Sequence, residues 1–331
     1  MPTEAAWRGV RIKLAGIALL IFMSGLVYAY FLSIPAGLAA PLAVAFAVEA
    51  VFYVATVWET PRRLIERRFG TPALAALMTA SGVLPYTICA APAGVFRWSG
   101  LAEVAALAAV VSFWFVVFPK RPAAGVVFVA LVTAGLLTGI FQPLYGQPAP
   151  RLKLGILGEA MWTRLAMAAA LSVARFEIKG FGFLPSRREW AAGVVNFLLF
   201  LPAGLLLGWL LNFAQFNPKP FEWWQTLGLA LATFFGMLWV VALREEFFSR
   251  GLLLEWISGW TKSDAAALAA VSVLFGLVHL PFRDFPNWRF AILAAVAGLC
   301  YGRAYLTTRS VRAAMVTHAL VNTTWRVFFP G

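Results

Sequence analysis

This sequence is short of charge. Only 12% of its 331 residues are Asp, Glu, Lys or Arg, against the roughly 25% usual for soluble domains, which excludes an ordinary water-soluble fold. Cysteine is far scarcer. Cys89 and Cys300 sit far apart in apolar stretches with no Cys-x-x-Cys, which excludes a cysteine metal knuckle or redox motif, and both read as small buried residues. Histidine occurs only as His279 and His318. No cleavable leader is expected, because the first apolar run is too long for one and lacks a small-residue cleavage site.

What is abundant is hydrophobic sequence, 62% of the chain with a mean hydropathy of +0.81. A membrane span needs about 20 mostly apolar residues. Candidate spans lie at residues 14–32, 36–57, 72–95, 101–118 and 123–141, then, more weakly, 159–174. Others follow at 190–211, from 227 into a double glutamate, and at 264–280, 289–306 and 311–328. The expected fold class is all-α, a polytopic transmembrane helical bundle of roughly eleven helices.

Lys and Arg concentrate on the cytoplasmic side of membrane proteins. With the amino terminus inside, the inner segments take clusters such as Arg62, Arg63, Arg67 and Arg68, then Arg175, Lys179, Arg187 and Arg188, and also Arg244, Arg250 and Lys262. The outer segments take the sparser Arg97, Arg151, Lys153, Lys219, Arg283, Arg289 and Arg326. A cytoplasmic amino terminus and an outward carboxyl terminus follow. The net charge of +13 then describes a basic inner face beside anionic lipid and calls for no nucleic acid.

The character of the chain changes near residue 175. A charged connector punctuated by Gly180, Gly182 and Pro185 reads as a boundary segment at the inner surface. It divides residues 1–174, an amino-terminal transmembrane extension, from residues 175–331, which carry almost all candidate chemistry. In the extension Glu49 and Arg164 are the main charged interruptions, and Glu49 reads as a pairing or snorkelling acid.

That chemistry starts at Arg244-Glu245-Glu246-Phe247-Phe248-Ser249-Arg250-Gly251, lodged in one of the most apolar stretches. Ionisable side chains at membrane depth are expensive and mark functional sites. Glu246 and Arg250 are four residues apart, so on a helix they share a face and can pair, which leaves Glu245 about 100° away and available. Phe275 with His279, and His318 with Asn322, are further i,i+4 neighbours. An imidazole and a carboxamide on one face can stabilise an oxyanion, and a carboxylate with an imidazole can activate water. Ser249 lacks the neighbours of a nucleophile and reads as a capping or packing residue.

Glu245-Glu246-x-x-x-Arg250, Phe275-x-x-x-His279 and His318-x-x-x-Asn322, in that order on successive apolar segments, resemble the motifs of the CAAX prenyl protease and bacteriocin-processing family of glutamic intramembrane proteases, also called the abortive-infection family. The resemblance covers about half the chain, residues 176–328. It implies a CAAX-protease-like domain over 175–331, an intramembrane endopeptidase needing no cofactor or metal. Glu245 and His279 would activate water, and His318 and Asn322 would form the oxyanion hole. Glu246 and Arg250 would hold the motif helix, with Phe275 packed beside His279. The substrate would be a membrane-associated peptide or carboxy-terminal protein segment. The Ala-, Arg- and Gly-rich composition, with no organelle signal, favours a bacterial plasma membrane.

Other readings of the same residues stay open. Glu245, His279 and His318 are also the donor types of a zinc site, although His-Glu-x-x-His is absent. An intramembrane Glu and His chain also suits a proton-coupled transporter. A non-catalytic immunity or scaffold protein on the same fold is a further alternative.

Overall fold

The structure, a computed structural model, describes residues 4–148, 152–213, 215–218, 221–283 and 285–329. Arg151 and Lys219, used above to assign sidedness, therefore lie outside the described residues. The described fold is all-helical, as expected of a chain whose backbone polar groups must be satisfied within each segment when lipid surrounds it. Among the described residues, eight helices are long and apolar enough to cross a membrane. Pro122–Leu137 and Asp264–Leu277 are shorter apolar helices, and each remaining predicted span is also helical.

The chain divides into two compact units, Met1–Glu177 and Ile178–Gly331. The first contains α1 (Glu4–Phe31), α2 (Ala36–Val57), α3 (Glu59–Glu66), α4 (Thr71–Ala90), α5 (Trp98–Val117), α6 (Pro122–Leu137), α7 (Phe141–Tyr145) and α8 (Gly155–Ala168), with α8 continued by a π-helical turn over Ala169–Val173. The segment that looks weakest in the sequence, α8, is the core of this unit: 83% of its apolar window is buried within the protein. A helix surrounded by protein can be less apolar than one facing lipid, because protein supplies polar partners. Arg164 on α8 shows this. Its Nε and Nη2 donate to the two carboxylate oxygens of Glu49 on α2 at 2.7 and 3.1 Å, and its Nη1 donates to Ser81 Oγ on α4 at 3.0 Å. The two charged interruptions of the extension thus pair with each other, both buried. Cys89 belongs to this unit and Cys300 to the other, both as free thiols.

The second unit begins with a connector and α9 (Arg187–Leu210). A continuous helix follows from Trp223 to Thr261, composed of α10 (Trp223–Gly236), a π-helical stretch Met237–Ala242, α11 (Leu243–Glu246), a second π-helical stretch Phe247–Leu254 and α12 (Glu255–Thr261). Then come α13 (Asp264–Leu277), α14 (Trp288–Thr308) and α15 (Val311–Phe328). α15 carries two arginines and a histidine, yet most of its residues are buried.

Polar ties at one end of this unit set the position of α15. Ser186 caps α9 reciprocally with Glu189, whose Oε2 accepts from the Ser186 backbone N–H at 2.6 Å. Glu189 also accepts from Ser310 Oγ and, at 2.9 Å, from Arg312 Nη2. The backbone N–H groups of Val311 and Arg312 donate to the carbonyls of Lys179 and Gly180 at 3.0 and 3.2 Å, so the connector supplies partners for donors that a helix start leaves unpaired. Gly180 has φ of +62°, and a Cβ there would run into Ser310. Nearby, Glu255 accepts from Lys179 at 2.7 Å and from the Tyr305 hydroxyl at 2.8 Å, and Arg309 pairs with Asp264.

One expectation needs correction here. The sequence reading ended a span at the double glutamate and counted Arg244 and Arg250 among inner-face charges. The helix instead runs through to Thr261, and Arg250 is fully buried within the unit. An arginine with internal partners need not reach the interface, so it carries no topological signal.

Candidate active site

The motif helix places its two carboxylates in different surroundings. Glu246 and Arg250 have side chains with 0% exposure, whereas that of Glu245 is 28% exposed. Arg250 Nη1 donates to Glu246 Oε1 at 3.2 Å and lies 3.1 Å from Oε2 without hydrogen-bond alignment to it. Nη1 also donates to Ser249 Oγ at 2.9 Å, and Nη2 donates to the Gly298 carbonyl on α14 at 2.8 Å. The guanidinium carbon stands over the rings of Phe275 at 4.8 Å and Tyr301 at 5.5 Å, a cation–π arrangement in a desolvated site. α14 can approach this closely because residue 298 is glycine: a Cβ there would meet Arg250 Nη2 at 3.2 Å and the Ser272 backbone at 3.3 Å. Ser249 donates to the Glu245 carbonyl, which fits packing rather than nucleophilic duty.

Glu245 lines a cavity of about 780 Å³ together with His279, His318 and Asn322. These residues come from the motif helix, the turn after α13, and α15. Tertiary structure thus brings the water-activating and oxyanion candidates to one space. Phe275 lines it as well, its ring 4.8 Å from that of His279. Glu246 and Arg250 lie beneath the lining.

Hydrogen bonds assign the two imidazoles. His279 Nδ1 is 2.6 Å from the Phe275 carbonyl. A carbonyl only accepts, so Nδ1–H donates and the neutral ring keeps its lone pair on Nε2, which suits accepting a hydrogen bond from water. His318 Nδ1 is 2.7 Å from Glu246 Oε1. Beside Arg250 that carboxylate is an acceptor, so Nδ1–H donates here too. His318 Nε2 then lies 3.8 Å from Glu245 Oε2. The His318 ring is held by Tyr301, stacked at 4.5 Å with an interplanar angle of 12°. Asn322 Nδ2 donates to Met237 Sδ at 3.7 Å.

Several contributors were not legible in the sequence. Met237 opens a π-helical stretch that, with its successor, brackets the double glutamate, and such departures from α-geometry often mark functional sites. Arg244 lines the cavity with Nη2 3.9 Å from Glu245 Oε1. Only its position before the motif marked it out. Tyr301 had no flanking signal at all. Among the described residues, no three His, Cys, Asp or Glu side chains converge as a metal site.

Residues 227–324 match a family model, that of the Rce1-like family, described as type II CAAX prenyl endopeptidase Rce1-like. This stretch contains all three motifs, so the resemblance drawn from them holds. No curated protein and no solved structure matches the chain. The family match and the apolar helices together indicate an integral membrane protein related to CAAX-type endopeptidases.

Proposed function

We propose that this protein is an intramembrane endopeptidase of the glutamic type, with its protease domain in the unit Ile178–Gly331 and unit Met1–Glu177 as an amino-terminal extension. The supporting observation is the meeting of Glu245, His279, His318 and Asn322 in one cavity, inside the stretch that matches the endopeptidase family. The substrate is a membrane-associated peptide or carboxy-terminal protein segment, and the setting a bacterial plasma membrane with the amino terminus in the cytoplasm.

In this reading Glu245 takes a proton from a water that His279 Nε2 orients. The water oxygen bonds to the scissile carbonyl carbon, and the carbonyl π pair moves to its oxygen. His318 Nε2, when the ring is doubly protonated, and Asn322 Nδ2 donate to that oxyanion. Collapse breaks the C–N bond, and the proton held by Glu245 passes to the leaving nitrogen, giving one new carboxylic acid, which keeps the water's second proton, and one new amine. Glu246 and Arg250 take no part in proton transfer. They hold His318 and the helix.

The test uses the full chain in detergent with an internally quenched peptide carrying a prenylated cysteine near its carboxyl terminus, the substrate type that CAAX chemistry implies. Glu245→Gln and His279→Ala should each lower turnover by at least the roughly 10²- to 10⁴-fold that general-base catalysis contributes, with unchanged thermal unfolding. Wild-type turnover by either variant would refute the assignment.

A further inference from the structure

We infer that Tyr301 is a further catalytic residue of this site, its hydroxyl donating to the oxyanion of the substrate alongside Asn322. The inference rests on the protease reading above and adds a donor that none of the three motifs contains.

Geometry creates the need for that donor. His318 commits Nδ1–H to Glu246 at 2.7 Å, so in its neutral form Nε2 carries a lone pair and repels an oxyanion instead of binding it. Only the doubly protonated ring donates through Nε2. Of the pair on α15, Asn322 alone is a donor in every protonation state, and its present contact is a thioether, a weak acceptor. A tetrahedral oxyanion in a low-dielectric site is best held by more than one fixed donor.

Tyr301 is placed to be the second. Its ring lies flat on the His318 ring at 4.5 Å and edge-on to Phe275 at 5.9 Å, with the Arg250 guanidinium on it at 5.5 Å. Those contacts immobilise it, and the residue is only 2% exposed. Buried tyrosine hydroxyls ordinarily find a partner. This one makes no hydrogen bond to any described residue, and Tyr301 is among the residues that line the cavity. Phenylalanine would make the same ring contacts, so packing does not explain the hydroxyl. A neutral phenol is protonated across the working range of a protease and gives up no proton in the step. It hydrogen-bonds the carbonyl oxygen as negative charge develops there, and releases it when the C–N bond breaks.

The experiment compares wild type, Tyr301→Phe and Glu245→Gln, each as the full chain in detergent. The probes are the quenched prenylated peptide, its parent amide, and a phosphinate analogue that puts a tetrahedral anionic group at the scissile position. Tyr301→Phe should lower kcat about 10²-fold, the usual effect of removing one oxyanion donor, while KM stays within about twofold. Its affinity for the phosphinate should fall in parallel, with amide binding and unfolding temperature unchanged. Wild-type kcat and phosphinate affinity in Tyr301→Phe would overturn the inference. So would a loss shared equally by amide binding or accompanied by lower stability, since Tyr301 would then only pack. If wild type, like Glu245→Gln, cleaves nothing, the protease reading falls by itself. The phosphinate then decides: weaker binding by Tyr301→Phe sustains the donor, and equal or absent binding in both removes it.

Discussion

His318 donates Nδ1–H to Glu246 at 2.7 Å, so the second glutamate of the motif helix reaches across to α15 as well as to Arg250 one turn away. One buried carboxylate therefore sets the charge balance of the motif helix and the orientation of an imidazole in the cavity. The i,i+4 spacing foretold the first partner only.

Replacing Glu246 by Gln leaves the Arg250 guanidinium without its counter-charge in a fully buried position. Breaking one side of a buried pair typically destabilises by about 3 to 5 kcal/mol. A lower unfolding temperature in detergent and poor expression are expected, with activity lost as a consequence. Glu245→Gln, at the cavity wall, should unfold at or slightly above the wild-type temperature while inactive. A stable, inactive Glu246→Gln beside an active Glu245→Gln would exchange the two roles.

The Glu49–Arg164 pair makes the same argument within the first unit. Arg164→Leu and Glu49→Leu should each destabilise by a comparable amount, about 3 to 5 kcal/mol, because each leaves a buried charge unpaired. The double variant should recover much of that loss, since two apolar side chains leave no orphaned charge. Thermal unfolding of the three variants measures the coupling, and simple additivity would mean that the pair is not a unit.

Prolonged incubation with a chelator, followed by metal analysis, should leave proteolysis unchanged if Glu245 and His279 activate water by themselves. Inactivation reversed by added zinc would replace the glutamic mechanism with a metal-assisted one.

Single cysteines at Arg63 and Arg187 should react with impermeant reagents from the cytoplasmic side, and one at Arg326 from the outside, as the Lys and Arg bias requires. Labelling of all three from one side would mean an odd error in the number of spans.

The helical membrane architecture was legible in the chain because it follows from local composition: long apolar runs can satisfy their backbone in lipid only as helices. The three motifs were legible because histidines and paired glutamates in such runs have few other reasons to exist. Spacing within one helix could give the Glu246–Arg250 pair, a short-range relation. It could not say that α8, a weakly apolar predicted span, is the buried core of its unit, because hydropathy does not distinguish a helix facing protein from a helix at the margin of a membrane. Nor could it say that Arg250 has its partners inside the unit, which removes Arg250 from the charge bias.

What tertiary structure alone decided is which groups share a cavity and which lie beneath it. Glu245 and Glu246 are neighbours in sequence with the same chemistry, yet one faces an open space and the other the Arg250 guanidinium and the His318 ring. Tyr301 is one aromatic among many in the sequence, and only the stacking of α14 on α15 brings it onto His318. Residue types and their local spacing are one-dimensional information and determine helices and candidate chemistry. The pairing of side chains from distant helices depends on how closely those helices approach, here through Gly298, and on π-helical stretches that no side-chain pattern announces.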